Sequence, residues 1–101
     1  MARVALHCRD LLFGSKVEGA LRAAGHEVAR DADAADIVVV DLTDPDVPWP
    51  EAADAPRLGF YSHVDQETRR RAEEAGFDLV VPRSRMNREA AALVERLVGE
   101  R

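Results

Sequence analysis

The stretch Asp36-Ile37-Val38-Val39-Val40-Asp41 decides the fold class of this chain. Four β-branched residues in a row, closed by a carboxylate, are typical of a parallel strand that is buried on both faces. In open α/β sheets, ligands bind at the carboxyl ends of the strands. The stretch therefore predicts a buried central strand that delivers the Asp41 side chain to a site.

Strand and helix patterns alternate on both sides of this stretch. A helix that ends at a glycine and leads into a strand occurs twice, at Gly25 and at Gly76, where glycine relieves the left-handed backbone that closes a helix. The predicted strands span residues 3–8, 27–30, 37–41, 58–61 and 79–82, and the predicted helices span 10–24, 65–75 and the C-terminal segment. We predict a single α/β domain, residues 1–101, folded as a three-layer sandwich with a parallel sheet in the flavodoxin-like order 2-1-3-4-5.

The helix boundaries leave alternatives open. The first helix begins either after Asp10 or at Ser15, because Ser15-Lys16-Val17-Glu18 is a capping-box pattern. The last helix is capped by Ser84 or by Asn87. We expect it to bury a stripe at helical spacing, namely Ala90, Leu93, Val94, Leu97 and Val98.

Two of the four crossover connections are too short or too rich in proline for a helix. Residues 31–36 are too few for an ordinary parallel crossover, and residues 42–57 contain four prolines without apolar periodicity. The second and third helices of the fold are therefore predicted to be shortened or missing. Both would cover the same sheet face, so a loop, a protein partner or a second copy of the chain must shield it. Trp49 either folds back over this face or anchors a partner.

Composition narrows the class of protein. The chain has 101 residues, a net charge of -5 and one cysteine, which fits a reducing cytoplasm without disulfides. Its apolar runs are too short to cross a membrane. Residues 31–56 hold eight Asp or Glu residues and no Lys or Arg, and such an acidic stretch disfavours nucleic-acid binding. We expect no cofactor and no metal.

Polar residues follow the predicted carboxyl ends of the strands. Asp41 is accompanied there by a set of charged and hydroxyl residues that could bind an anion or a small molecule: Arg9, Asp10, Ser15, Lys16, Ser62, His63, Arg83 and Ser84. The alternative is an internal ion pair between Asp41 and Arg83, with the serines acting only as helix caps. His63 has no residue at the spacing of a known catalytic motif that could orient it, so we do not expect it to be catalytic. Cys8 is expected to pack in the core.

Residues 36–45 resemble the third strand and phosphorylation loop of response-regulator receiver domains, with Asp41 at the phosphoacceptor position. Tyr61-Ser62-His63-Val64-Asp65 and Arg71-Ala72-Glu73-Glu74-Ala75-Gly76-Phe77 resemble their fourth strand and fourth helix. Arg83 falls where receivers place a lysine, and Ser84 where they place a proline. A narrower resemblance, to a poorly characterised group of small receiver-like bacterial proteins, is carried by Asp10-Leu11-Leu12-Phe13-Gly14-Ser15-Lys16-Val17, Gly59-Phe60-Tyr61-Ser62-His63-Val64-Asp65 and Pro82-Arg83-Ser84.

The departures from that pattern decide the expected mechanism. Receivers use two acidic residues after the first strand to hold magnesium, whereas Cys8 and Arg9 stand here and leave only Asp10 nearby. We therefore expect a non-catalytic pseudo-receiver that signals by protein interaction, with a partner or a homodimer at the face that lacks helices. An anion or small-molecule sensor at the carboxyl edge is the first alternative. A receiver that is phosphorylated on Asp41 is the weaker one.

Overall fold

A computed structural model describes residues 2–30, 34–50 and 55–99 of the chain. The strands are β1 (Arg3–His7), β2 (Glu27–Ala29), β3 (Ile37–Asp41), β4 (Arg57–Tyr61) and β5 (Leu79–Pro82). The helices are α1 (Leu11–Ala23), α2 (Gln66–Glu74) and α3 (Arg83–Gly99). All strands pair in parallel in the order β2-β1-β3-β4-β5, which confirms the predicted sheet.

The central strand β3 is buried along its whole length. Its alternating side chains enter two separate apolar layers, because successive residues of a strand point to opposite faces. Ile37 and Val39 join the layer beneath α1 and α3, together with Leu21 and Phe60. α3 contributes Ala90, Leu93, Val94 and Leu97 to this layer as predicted, and Val98 is half-buried at its margin.

Among the described residues, α2 is the one helix that covers the opposite face. Neither connection that flanks β3 contains a helix within the described residues, as predicted from the sequence. Residues 42–50, which we call the covering loop, lie over the sheet and place Leu42, Val47 and Trp49 against its apolar layer. Val38 and Val40 are consequently 3% and 0% exposed. The loop therefore shields the part of the face beneath it.

The helix ends follow the backbone chemistry of their caps. Asp10 caps α1 by accepting hydrogen bonds from the amides of Leu12 and Phe13, so the alternative start at Ser15 is wrong. Gly25 and Gly76 have φ of 91° and 93°, which confirms that glycine closes both helix ends.

The predicted start of the last helix is wrong. α3 begins at Arg83 directly after β5, so Ser84 and Asn87 lie within the helix and neither precedes it as a cap. Glu89 departs from helical geometry with φ of -126° and ψ of 19°, and this kink divides the helix.

Candidate functional site

The Asp41 carboxylate is enclosed at the carboxyl end of β3, with 2% of the residue exposed. Its Oδ1 accepts hydrogen bonds from the Thr43 amide, at 2.9 Å, and from the Thr43 hydroxyl. The Cys8 thiol donates to Oδ2 over 3.6 Å. Both carboxylate oxygens thus accept hydrogen bonds from neutral groups rather than from a cation. These bonds offset part of the free-energy cost of burying the carboxylate.

Cys8 is held as a thiol at the end of β1. Burial is the main reason that its pKa rises from 9.0 to about 11, and a backbone hydrogen bond with Asp10 opposes this rise. The negative charge of Asp41 and the hydrogen bond to its carboxylate raise the pKa further. A protonated Cys8 can donate to Asp41, whereas a thiolate beside that carboxylate would be repelled.

Arg9 does not contact Asp41 but crosses to the covering loop. Its guanidinium lies 3.1 Å from the carboxylate of Asp46 and 3.8 Å from that of Asp44. The Arg9 and Asp46 side chains are 61% and 75% exposed, so water screens this pairing. Arg9 therefore connects the end of β1 to the covering loop at the rim of the site.

Asp10 and Arg83 form the second charged pair of the edge. Asp10 accepts a hydrogen bond from the Arg83 guanidinium at 3.1 Å while it caps α1, and the guanidinium lies 4.4 Å from the centre of the Phe13 ring. The Phe13 amide, followed by Arg83, lowers the pKa of the Asp10 carboxyl. The predicted ion pair between Asp41 and Arg83 is wrong, because Arg83 is paired with Asp10 and stacked on Phe13.

The structure distributes the other predicted edge residues over separate surfaces. Lys16 lines a shallow depression of about 260 Å³ with Asp10, Phe13 and Arg83. Ser15 lines a different groove between α1 and β2. Ser62 and His63 contribute backbone carbonyls to the turn before α2, where they accept from the Asp65 amide and the Gln66 side chain, and Ser84 lies exposed on α3.

Trp49 lies over the sheet face from the covering loop and is half-buried. Its ring meets the Phe77 ring edge-on at 5.4 Å between centres, and the Arg71 guanidinium lies 5.4 Å from the Trp49 ring centre. Of the two predicted orientations of Trp49, the structure shows the one that folds back on the sheet. A role of Trp49 in binding a partner stays a prediction.

Arg57 is the residue that the sequence analysis missed. It is 5% exposed at the start of β4, and its guanidinium donates to the carbonyls of Pro50 and Ala75 at 2.9 and 2.6 Å. The same guanidinium lies 4.7 Å from the Phe77 ring centre. It thereby joins the end of the covering loop to the C-terminus of α2, where a positive charge is favourable. No sequence pattern separates such an arginine from one at an exposed strand start.

Comparisons with known proteins identify the fold of this chain. No family model and no curated protein matches the sequence. Among solved structures, a protein assigned as a response regulator from Chloroflexus aurantiacus is 18% identical over 97% of this chain and 98% of its own, with a TM-score of 0.80. The HemR receiver domain from Leptospira biflexa is 21% identical over 97% and 94%, with a TM-score of 0.75.

A third solved structure is the receiver domain of a sensor histidine kinase from Pseudomonas aeruginosa PAO1, which has a magnesium ion coordinated in its active-site cleft. It is 16% identical over 97% of this chain and 98% of its own, with a TM-score of 0.74. Identities this low establish a shared fold and leave the activity to be argued from the site. The chain has a receiver-like fold, with a five-stranded parallel sheet and three helices in its described residues.

Proposed function

We propose that the protein is a non-catalytic pseudo-receiver, a signalling module that acts through protein contacts and whose Asp41 site is held in one state. The observation that carries this proposal is the enclosed Asp41 carboxylate, which accepts from Thr43 and Cys8 with only 2% of the residue exposed. An acceptor of a phosphoryl group must present an accessible oxygen to the attacked phosphorus. The Asp41 oxygens are enclosed, so a phosphoryl donor would first have to open the contacts with Thr43 and Cys8.

The charges around Asp41 support the same proposal. The receiver from Pseudomonas aeruginosa coordinates magnesium in its cleft. Here the positions after β1 carry Cys8 and Arg9, and the one remaining acid, Asp10, caps α1 and accepts from Arg83. Magnesium binds oxygen ligands in near-octahedral geometry. A carboxylate already engaged by an amide and a guanidinium is a poor ligand for it.

The anion sensor receives less support from the geometry. Two of its predicted cations are already neutralised by carboxylates, since Arg83 pairs with Asp10 and Arg9 with Asp46. The predicted residues also lie on separate surfaces, as Ser15 and Lys16 line different grooves. An anion would have to displace these carboxylates before it gained a guanidinium partner.

Beryllofluoride with magnesium tests whether Asp41 can act as a phosphoacceptor, since the pair mimics an acyl phosphate on a carboxylate. We expect no change in the amide spectrum of Thr43 or Leu42 by NMR and no change in the fluorescence of Trp49, the single tryptophan. Saturable shifts of the Thr43 amide in the unmodified chain would contradict the proposal and favour a phosphorylatable receiver.

A pair of variants makes a negative result interpretable. Arg9→Asp removes a cation and adds a carboxylate next to Asp10, so we expect it to gain a magnesium-dependent shift. Arg9→Gln removes the same charge without adding a ligand and serves as the matched control. Both variants replace the exposed Arg9 side chain, so the fold is expected to tolerate either change.

A further inference from the structure

An open groove lies between the covering loop and α2. Its volume is about 440 Å³, which falls within the range of small-molecule binding sites. The covering loop lines one side of it with Asp44, Pro48 and Trp49. The start of α2 and the turn before it line the other side with Asp65 and Arg71. The groove therefore combines an aromatic ring with charged groups of both signs.

Arg71 is the arginine of α2 whose guanidinium is available to a ligand. Three consecutive arginines lie on this helix, and two of them pair with glutamates of the same helix, Arg69 with Glu73 and Arg70 with Glu67. Arg71 has no carboxylate within ion-pair distance among the described residues, and its guanidinium lies 5.4 Å from the Trp49 ring centre. A guanidinium over an aromatic ring keeps the N–H edge with which it binds a carboxylate.

Two carboxylates line the same groove and have capacity for a cation. Asp65 caps α2, and hydrogen bonds from the Thr68 side chain and amide lower the pKa of its carboxyl, so it is ionised at neutral pH. Asp44 has a side chain that is 26% exposed, and the Arg9 guanidinium lies 3.8 Å from it. Each carboxylate oxygen has two lone pairs, so both carboxylates can still accept from an ammonium group.

These charges select one chemical class of ligand. Asp44 and Asp65 against Arg71 leave the groove with one net negative charge. At neutral pH a basic amino acid carries the opposite set, namely one carboxylate and two cationic groups. Its methylene stem suits the Trp49 side of the groove, because long cationic side chains bury their stems along apolar surface. A simple anion would meet two like charges, and a simple amine would leave the Arg71 guanidinium without a partner.

We propose that this groove binds a basic amino acid of the lysine and arginine class, with its carboxylate on Arg71 and its two cationic groups on Asp44 and Asp65. Water screens charges in an open groove, so we expect a dissociation constant on the order of 1 mM. The proposal goes beyond the protein-interaction function. It does not depend on that function, because the groove and its charges do not include Asp41.

The fluorescence of Trp49, the single tryptophan, tests this proposal when the full chain is titrated with L-lysine at constant ionic strength. We expect a saturable change, and calorimetric titration should give the same dissociation constant. Cadaverine lacks the carboxylate of lysine, and ε-aminocaproate lacks its α-ammonium group. Each is expected to bind at least ~10-fold more weakly than L-lysine, since each leaves one charge of the groove without a partner.

Matched variants identify the groups that bind the ligand. Arg71→Met and, separately, Asp44→Asn are each expected to raise the calorimetric dissociation constant for L-lysine by at least ~10-fold. Asp44→Asn keeps the side-chain oxygen that accepts the Asp46 amide, so the loop conformation should be retained. Arg70→Met removes the same charge as Arg71→Met from the neighbouring position and should change the constant by less than about twofold. Circular dichroism spectra of all three variants should match that of the unmodified chain.

The absence of a saturable signal with both L-lysine and L-arginine would overturn the proposal. Cadaverine that binds as tightly as L-lysine would also overturn it, because Arg71 would then bind no carboxylate. An equal loss of affinity in Arg70→Met and Arg71→Met would show a general charge effect and would contradict a specific site. If Arg71→Met failed to fold, Asp44→Asn and the two lysine analogues would still decide.

Discussion

At the residue scale, a hydrogen bond and the charge of the Asp41 carboxylate couple Cys8 to Asp41. Burial and the neighbouring carboxylate raise the pKa of the Cys8 thiol to about 11, so the thiol is protonated at neutral pH. We expect iodoacetamide to alkylate Cys8 slowly at pH 8, with a rate that rises until the pH approaches 11. Asp41→Asn removes the charge but leaves the burial, so the alkylation rate at pH 8 should rise by up to ~10-fold.

Asp36→Asn is the matched control for this measurement. It removes one carboxylate at the opposite end of β3, where Asp36 accepts from the Arg3 amide, and should not change the alkylation rate. The stability linked to Cys8 has a defined sign. Because the folded state raises the pKa, this contribution is complete below pH 9 and is lost as the pH rises towards 11. Alkylation of the folded chain as fast as in urea would show that the thiol is not restrained.

At the element scale, the covering loop shields part of the sheet face beside α2, and Arg57 holds the end of this loop. Arg57→Met keeps much of the apolar side-chain length but removes the donors to the carbonyls of Pro50 and Ala75. We expect the free energy of unfolding to fall by about 3 kcal/mol, because hydrogen bonds from charged groups are lost and buried acceptors are left unpaired. Urea unfolding followed by circular dichroism measures this change.

The fluorescence of Trp49 shows whether the loss of stability in Arg57→Met arises in the covering loop. Its ring packs on Phe77, so release of the loop in Arg57→Met should shift the Trp49 fluorescence to longer wavelength before the main transition. Arg70→Met is the control, since Arg70 is exposed on α2 and pairs with Glu67. Equal stability of the Arg57→Met and Arg70→Met variants would contradict the role assigned to Arg57.

The elements also show what a sequence can and cannot predict here. The strands, and the absence of a helix from the described parts of the two connections that flank β3, follow from local patterns: a β-branched run at residues 37–40, helix-closing glycines, and a proline-rich stretch after Asp41. The partners of Arg83 and Arg57 depend on side-chain reach across elements distant in sequence. Arg83 pairs with Asp10 and stacks on Phe13 at the start of α1, whereas the sequence predicted Asp41 as its partner. No periodicity encodes that choice.

At the scale of the whole molecule, His26 joins the two ends of the chain. Its Nδ1 accepts the Ala2 amide at 3.0 Å, so the ring proton lies on Nε2 and is donated to Glu95 of α3, also at 3.0 Å. The His26 side chain is 5% exposed, whereas that of Glu95 is 55% exposed. The buried hydrogen bond between Ala2 and His26 is therefore expected to contribute more to the free energy of unfolding than the exposed one between His26 and Glu95.

This asymmetry predicts two different outcomes for substitutions of the pair. His26→Ala leaves the Ala2 amide buried without its acceptor and opens a small cavity, so we expect a loss of about 2 kcal/mol in the free energy of unfolding. Glu95→Gln keeps an acceptor oxygen for Nε2 and should cost less than about 1 kcal/mol, as for other exposed pairs. Urea midpoints from Trp49 fluorescence and circular dichroism should shift together in His26→Ala, because the two apolar layers share one sheet and are expected to unfold cooperatively. If only the first residues loosened while the midpoint stayed unchanged, His26 would be a local contact and would not join β1 to α3.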